Sequence, residues 1–320
     1  MDRILAMSQT FESEPPAIDA LKAGGIPFDV VPIEERRSWG EQDLARALEG
    51  YTGLIAGGDF PITAAMVEAC PSLKAVSLNC TGVNHVDVSA LEARGIALYN
   101  TPGLSHSACA DFIMGQMLAL MRHIALGDRR MRAGLWDQGV ERGLGVTGKT
   151  MGIIGLGSIG LDVCDRAKGF AMRVLASVRH PKPELAARHG FEYVGLDAIY
   201  READILVISC PLTDETRGMV GRKELALMKP GAVLINSARG PIVDEDALFE
   251  ALKGGRLFGA ALDVFDQEPL TESRFFALDN VLLTPHLAGR ADRQIEDCAV
   301  KAAENILAFY HGTEPFNRLL

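Results

Sequence analysis

No run of apolar residues in this 320-residue chain approaches the roughly 20 that a membrane-spanning helix needs. The opening MDRILAM moves straight into a strand-like run, without the basic segment, apolar core and cleavage site of an export signal. Basic charge is short as well: 32 Lys and Arg face 42 Asp and Glu, a formal net charge of -10. That balance argues against a nucleic-acid backbone or an anionic membrane surface as partner, since both reward basic patches. It leaves room for a small anionic substrate, because a local pocket can be positive on an acidic protein. The six cysteines, Cys70, Cys80, Cys109, Cys164, Cys210 and Cys298, form no CxxC pair. They read as buried thiols, with neither disulfides nor a metal expected. These absences lead to the expectation of a cytoplasmic protein in a reducing setting.

Apolar residues make up 48% of the chain, enough for buried cores, and the length suits two domains. In the first hundred residues RILAM, FDVV, GLIAG, KAVSLN and IALYN read as strands. Between them PAIDALKAGG, EQDLARALEG, TAAMVEAC and VSALEARG carry apolar residues at helical spacing. NTPGLSH, at 100–106, breaks the pattern, and a long helical stretch is predicted over 108–133. A second series then supplies the strands MGIIG, MRVLAS, FEYV, DILVISC, AVLINS, GAALDV and NVLLT. Alternating strands and helices predict parallel sheets with helices on both faces. The last stretch, DRQIEDCAVKAAENILAFYHG, is helical with no strand after it, as expected of a helix that packs back on the first domain. The predicted organisation is 1–100 with 290–320 as one domain and 101–289 as the other, with hinges near 100–102 and near Gly289.

In GIIGLGSIG, Gly155, Gly157 and Gly160 have G-x-G-x-x-G spacing directly after a strand and at the opening of a helix. The first glycine permits a tight turn, the second lets backbone approach a pyrophosphate, and the third allows close helix–sheet packing. Exposed N–H groups and the helix dipole at Ser158 and Ile159 favour the phosphates. The spacing alone is weak in a chain with 33 glycines; the strand–turn–helix context makes it strong.

Ligands of an open parallel sheet gather beyond the carboxyl ends of its strands. AVLINSARG ends in Arg239, GAALDVFDQEP places Asp263 and then Glu268, and NVLLTPH ends in His286. A guanidinium can bind a carboxylate in bidentate fashion and polarise the neighbouring carbonyl. A histidine can exchange a proton with the carbonyl or alcohol oxygen as hydride moves to or from a nicotinamide. A carboxylate beside it favours the imidazolium and sets its tautomer. The set suits interconversion of 2-oxo and 2-hydroxy acids.

Another absence selects among nucleotides. In many dinucleotide-binding folds the second strand ends in an acid that holds the adenosine ribose, but VLASVRH puts Val178, Arg179 and His180 there. An acid would repel a 2′-phosphate by roughly 4 kcal/mol at ~4 Å and an effective dielectric of ~20. Val178 removes that repulsion, Arg179 can grip the phosphate, and His180 can add a donor. The stretch predicts NADP(H) as preferred nucleotide, with NAD(H) possible.

GKTMGIIGLGSIG, CPLTDETRGMV, LMKPGAVLINSARGPIVDEDALFEAL, GAALDVFDQEPL and NVLLTPHLAG, in that order, resemble the D-isomer-specific 2-hydroxyacid dehydrogenases. GVNHVDVSALEARGIALYNTPG and ACADFIMGQMLALMR extend the resemblance over essentially the whole chain. This family includes glyoxylate/hydroxypyruvate reductases and D-lactate and 3-phosphoglycerate dehydrogenases. The resemblance implies an α/β fold of two doubly wound parallel-sheet domains, a Rossmann cofactor domain inserted in a flavodoxin-like substrate domain. It implies His286 as general acid/base, Glu268 as its partner and Arg239 as the ligand of the substrate carboxylate and carbonyl. Backbone at Thr81, Gly82 and Val83 would close over that carboxylate from the first domain. Cys210, Pro211, Thr216, Ser237 and Ala238 would lie along the cofactor, Asp263 would bond the nicotinamide amide, and Ala288 and Gly289 would lie near the ring. A homodimer through 108–133 and a small 2-oxo or 2-hydroxy acid, glyoxylate or hydroxypyruvate foremost, are the implied partners. Substrate choice is expected from 54–59 and 104–106. Asn84 and Asp111 depart from the family's usual Asp and Glu without touching the catalytic set. Two rivals share the scaffold: oxidation of another anion such as phosphite, and a nucleotide-sensing corepressor, for which a long flexible tail would be expected.

Overall fold

The computed structural model describes residues 2–8, 11–36, 39–58 and 61–320. Asp59, one of the positions expected to bear on substrate choice, lies outside them. The first series comprises β1 (Ile4–Met7), α1 (Pro15–Gly24), β2 (Phe28–Val30), α2 (Ile33–Arg36), α3 (Glu41–Ala47), β3 (Gly53–Ala56), α4 (Ala64–Ala69), β4 (Ala75–Leu78), α5 (Val88–Ala93) and β5 (Ala97–Tyr99). After α6 (His106–Met121) and α7 (Ile124–Arg132) the second series is β6 (Thr150–Ile154), α8 (Ser158–Gly169), β7 (Arg173–Ser177), α9 (Pro183–His189), β8 (Glu192–Tyr193), α10 (Leu196–Glu202), β9 (Ile205–Ile208), α11 (Arg222–Leu227), β10 (Ala232–Asn236), α12 (Glu245–Lys253), β11 (Leu257–Leu262) and β12 (Val281–Leu283). α13 (Asp292–His311) follows. Every strand predicted from the alternation forms.

The chain divides into two compact units, Met1–Ser105 with Arg290–Leu320, and His106–Gly289. The first crossing thus falls a few residues beyond the predicted 100/101 boundary. Thr101 belongs to the first unit because its N–H donates to the Cys80 carbonyl at 3.1 Å and its hydroxyl to that of Leu78 at 3.4 Å.

In the first unit the parallel sheet has the order β2-β1-β3-β4-β5, the doubly wound order of flavodoxin-like folds. Its central strands are buried on both faces, as parallel strands between helical layers must be. α13 returns to this sheet. Ala299, Ala302, Ala303 and Ile306, spaced at three and four residues, form its buried stripe against Ile4, Ala6, Ile55 and Ala75. The small alanines allow close approach, and Ser77 Oγ reaches the Ala302 carbonyl at 2.8 Å. The residues after α13 are not the plain end that the sequence pattern implies: Arg318 makes an antiparallel bridge to Tyr99, and Leu319 N–H donates to the Leu98 carbonyl at 2.8 Å. One polar bridge residue has no alternation to announce it.

In the second unit seven parallel strands run β12-β11-β10-β9-β6-β7-β8. Strand order reverses at β6 and β9, the switch point where such sheets bind ligands. The helix predicted over 108–133 is two helices, α6 and α7, meeting at 60°. His123 takes a left-handed φ of 54°, its ring packs 5.3 Å from that of Phe258, and Leu144 N–H takes the Met121 carbonyl at 2.8 Å. A carbonyl captured from outside cannot propagate the helix, and composition does not reveal that. No single helix among the described residues is long and apolar enough to cross a membrane. All six cysteines are free thiols; Cys70, Cys109 and Cys164 are buried, while Cys80, Cys210 and Cys298 are only half-buried. Cys80 and Cys210 stand just past the carboxyl ends of β4 and β9, where the chain leaves the core.

Candidate active site

The glycine turn joins β6 to α8, and its three glycines answer to different constraints. Gly155 has φ of +92°, and a Cβ there would lie 2.7 Å from the backbone of Cys210. At Gly160 a Cβ would meet the Gly155 carbonyl oxygen at 2.7 Å. Both are required by the protein's own packing. Gly157 is different: a Cβ would meet nothing within 4 Å, and the residue caps α8 without any side-chain hydrogen bond to the helix start. The space a side chain would fill lies open over the N–H groups that begin a 12-residue helix, including those of Ser158 and Ile159. This cradle fits a dinucleotide's pyrophosphate.

The approach of Gly155 to Cys210 sets the β9 loop beside the turn. Thr216, predicted along the cofactor, spends its hydroxyl on that loop, donating to the Pro211 carbonyl at 2.7 Å and accepting from Thr213 N–H at 2.8 Å. Burial pushes the Cys210 thiol up, against the charge of nearby Arg179. Gly155 N–H donates to the Ser177 carbonyl at 3.0 Å, which anchors the end of β7. Val178 follows half-buried, and Arg179 and His180 are exposed. The Arg179 guanidinium is ion-paired with Glu215 of the β9 loop, a partner the sequence did not suggest.

At the end of β10, buried Asn236 shapes the next loop: its Oδ1 accepts Ala238 N–H at 3.1 Å and its Nδ2 donates to the Arg239 carbonyl at 2.9 Å. Arg239 then places Nη1 2.6 Å from the Ala238 carbonyl. A Cβ on Gly240 would collide with the backbone of Phe265 and Asp266, so only glycine lets this loop lie against the one after β11. That approach brings the Arg239 charge to bear on Glu268.

His286 has φ of +52°, a region few non-glycine residues occupy, and its N–H donates to the Asp263 carbonyl at 2.9 Å. Its Nδ1 stands 2.7 Å from Glu268 Oε2, while Glu268 Oε1 accepts Phe265 N–H at 3.0 Å. Burial acts to raise the Glu268 carboxyl, but the hydrogen bond and charge of His286, the Phe265 N–H and the Arg239 guanidinium outweigh it and hold the pKa below the ordinary glutamate range. Glu268 therefore stays anionic at neutral pH, accepts Nδ1–H, and leaves Nε2 of His286 for proton exchange.

Asp263, predicted at the nicotinamide amide, is fully buried. Its carboxylate takes Thr284 Oγ1 at 2.6 Å and the N–H groups of Leu287 and Ala288 at 2.8 Å each. It is committed to holding the chain around His286, and Ala288 is buried with it, with Gly289 half-buried at the edge. The chain of bonds continues through Thr284 and Gln116, which sequence reasoning missed: Gln116 Nε2 donates to Thr284 Oγ1 at 3.2 Å, and Ser237 Oγ, of a residue predicted along the cofactor, donates to Gln116 Oε1 at 2.8 Å. Gln116, buried on α6, thus ties the ends of β10, β11 and β12 together. A glutamine in the apolar run MGQMLALM was the only signal available.

Thr81, Gly82 and Val83 belong to the first unit, in the loop that follows β4. Thr81 Oγ1 donates to the Thr101 carbonyl at 3.2 Å, Cys80 Sγ lies 3.4 Å from the Gly82 carbonyl, and Val83 packs partly buried on the core.

An open glycine turn at a sheet's switch point, with an arginine and a carboxylate-held histidine at later strand ends, is an arrangement suited to a dinucleotide-dependent oxidoreductase. Residues 114–288 match the family model of the D-isomer specific 2-hydroxyacid dehydrogenase, NAD binding domain. A glyoxylate reductase of Thermococcus litoralis is 40% identical over 259 residues, 79% of this chain and 78% of its own. A glyoxylate/hydroxypyruvate reductase B of Yersinia pestis is 38% identical over 278 residues, 85% of each. A solved structure from Thermus thermophilus superposes with a TM-score of 0.90 at 36% identity, covering 99% of this chain and 100% of the other. The chain belongs to the D-isomer-specific 2-hydroxyacid dehydrogenase family and is a 2-hydroxyacid oxidoreductase with a nicotinamide cofactor and a small 2-oxo acid as substrate.

Proposed function

We propose that this protein reduces glyoxylate or hydroxypyruvate and prefers NADPH to NADH. The observation that carries the reading is the pairing of His286 Nδ1 with Glu268 at 2.7 Å, with the Arg239 charge acting on the same carboxylate. The Arg239 guanidinium binds the substrate carboxylate and polarises the adjacent carbonyl, and backbone at Thr81, Gly82 and Val83 binds the carboxylate as well. Protonated His286 gives its Nε2 proton to the carbonyl oxygen as that oxygen gains charge; Glu268 stabilises the imidazolium before transfer and fixes the ring. The nicotinamide, when bound, supplies the hydride. Reduction by this route consumes one hydride and one proton and yields the 2-hydroxy acid: achiral glycolate from glyoxylate, or the D-isomer of glycerate from hydroxypyruvate.

Nucleotide choice rests on Val178 and Arg179. The residue that follows β7 is Val178, so that position supplies no carboxylate against a 2′-phosphate. The pair of Arg179 with Glu215 is exposed on both sides and therefore weak, so a phosphate displaces Glu215 at small cost. The relatives named glyoxylate reductase support the small substrate. A panel of 2-oxo acids assayed with both reduced nucleotides tests the reading. Highest kcat/KM for glyoxylate or hydroxypyruvate with NADPH is expected; a clear NADH preference overturns the nucleotide choice. His286→Asn lowers kcat on the order of a thousandfold and leaves nucleotide binding intact, and persistence of turnover removes His286 as acid/base.

A further inference from the structure

α13 carries an asparagine, Asn305, that is fully buried in the middle of an otherwise alanine-rich stripe. A buried amide in that position is costly unless each of its atoms is bonded. Here they are: Oδ1 accepts Phe316 N–H at 2.7 Å and Asn317 N–H at 3.3 Å, and Nδ2 donates to the Asn100 carbonyl at 3.1 Å. Asn317, drawn in by its backbone, donates its own Nδ2 to Asn100 Oδ1 at 2.5 Å. Asn100, 5% exposed, then donates Nδ2 to the Thr81 carbonyl at 2.8 Å.

The direction of every bond is set by backbone groups that have only one role. The Thr81 carbonyl can only accept, so the amide edge facing it is Nδ2 of Asn100. Its Oδ1 therefore faces the other way and requires a donor, which Asn317 supplies. Two backbone N–H groups likewise fix Oδ1 of Asn305, leaving Nδ2 for Asn100. Holding the Thr81 carbonyl also orients the next peptide N–H. Across a planar trans peptide the N–H of Gly82 points opposite to the carbonyl of Thr81. Asn100 thus sets the direction of the Gly82 N–H, in the loop that the proposed function assigns to the substrate carboxylate.

We propose that Asn305, Asn317 and Asn100 form a positioning relay through which the segment after α13 orients the Gly82 N–H toward the substrate carboxylate. The inference rests on the reading of Thr81, Gly82 and Val83 as a carboxylate-binding loop. The segment is then part of the substrate-binding apparatus although none of its residues touches substrate. Its bridge at Tyr99 and Arg318 and the bond from Leu319 to Leu98 hold it in register.

Asn317→Asp keeps size and removes the donor; Asn317→Ala removes the whole amide; Gly82→Pro removes the N–H itself. Each is assayed for glyoxylate reduction with NADPH, and NADPH binding is titrated separately by fluorescence. Loss of one aligned hydrogen bond predicts a roughly three- to tenfold rise in KM for glyoxylate in both Asn317 variants, with kcat and the NADPH Kd unchanged. Gly82→Pro raises the same KM further and also spares NADPH binding. If Gly82→Pro raises KM while both Asn317 variants match the parent, the relay is wrong and the loop assignment stands. If Gly82→Pro leaves KM unaltered, the loop assignment falls and the relay with it. A parallel change in kcat and NADPH affinity in the Asn317 variants marks a general structural role and also overturns the proposal.

Discussion

Glu268 and Arg179 are both charged residues whose partners decide what they do. Because the Glu268 pKa is depressed, its pair with His286 contributes stability above the ordinary glutamate range, and that contribution is lost as pH falls through the lower folded value. Thermal unfolding followed from pH 7 down to about pH 3, spanning the ordinary glutamate pKa, should therefore show an acid loss of stability that is smaller in Glu268→Gln. The same variant keeps the shape but removes the anion that pairs with Nδ1 of His286 and holds its ring, so kcat for reduction falls on the order of a hundredfold or more while the NADPH Kd holds. At Arg179 the opposing partner is Glu215. Glu215→Gln frees the guanidinium and should lower KM for NADPH severalfold without moving KM for NADH; Arg179→Ala should raise the NADPH value. Initial rates with the two nucleotides read both changes.

At the scale of elements, the turn between β6 and α8 separates packing from binding within six residues. Gly160→Ala drives a methyl against the Gly155 carbonyl, and overpacking of this kind costs about 1–3 kcal/mol, measurable as a shift in the urea midpoint. Gly157→Ala meets no protein atom and its φ of −79° suits alanine, so stability should stay near that of the parent. The methyl would instead occupy the cradle, and NADPH affinity should fall at least roughly tenfold, a loss of about 1.4 kcal/mol. Equal destabilisation by both substitutions would contradict the division of roles.

For the whole molecule, the exposed apolar side chains of the 124–136 segment stand out. Ile124 and Met131 lie on α7, and Trp136 follows it with 73% of its surface exposed. We propose that this region, within and just past the 108–133 stretch, is the homodimer contact. Light scattering should give a mass near twice 34.4 kDa for the parent chain, and the double substitution Ile124→Glu, Trp136→Glu should give the single mass. A parent that remains monomeric at micromolar concentration would rule the contact out.

The sequence by itself determined the strands, the sheet class and the strand–turn–helix place of the glycines, and it singled out Arg239, Glu268 and His286 as strand-end candidates, because each follows from local periodicity or from residues fixed to a strand end. Absence was informative too: with no acid at Val178, nucleotide preference could be argued from charge alone. What periodicity cannot carry is pairing between distant segments. The break between α6 and α7 depends on Leu144 capturing a carbonyl of Met121, and the fate of Asp263 depends on three donors that converge only when β11 and β12 lie side by side. Gln116 and Asn305 are polar residues on buried helix faces, and only their neighbours in space show that both the oxygen and the nitrogen of each amide are bonded. Hydrogen bonds act over about 3 Å in a chosen direction, whereas sequence patterns report which face is apolar. The fold class was therefore legible from the residues, and the positioning of the loops after β4, β10, β11 and β12 was decided by the tertiary structure.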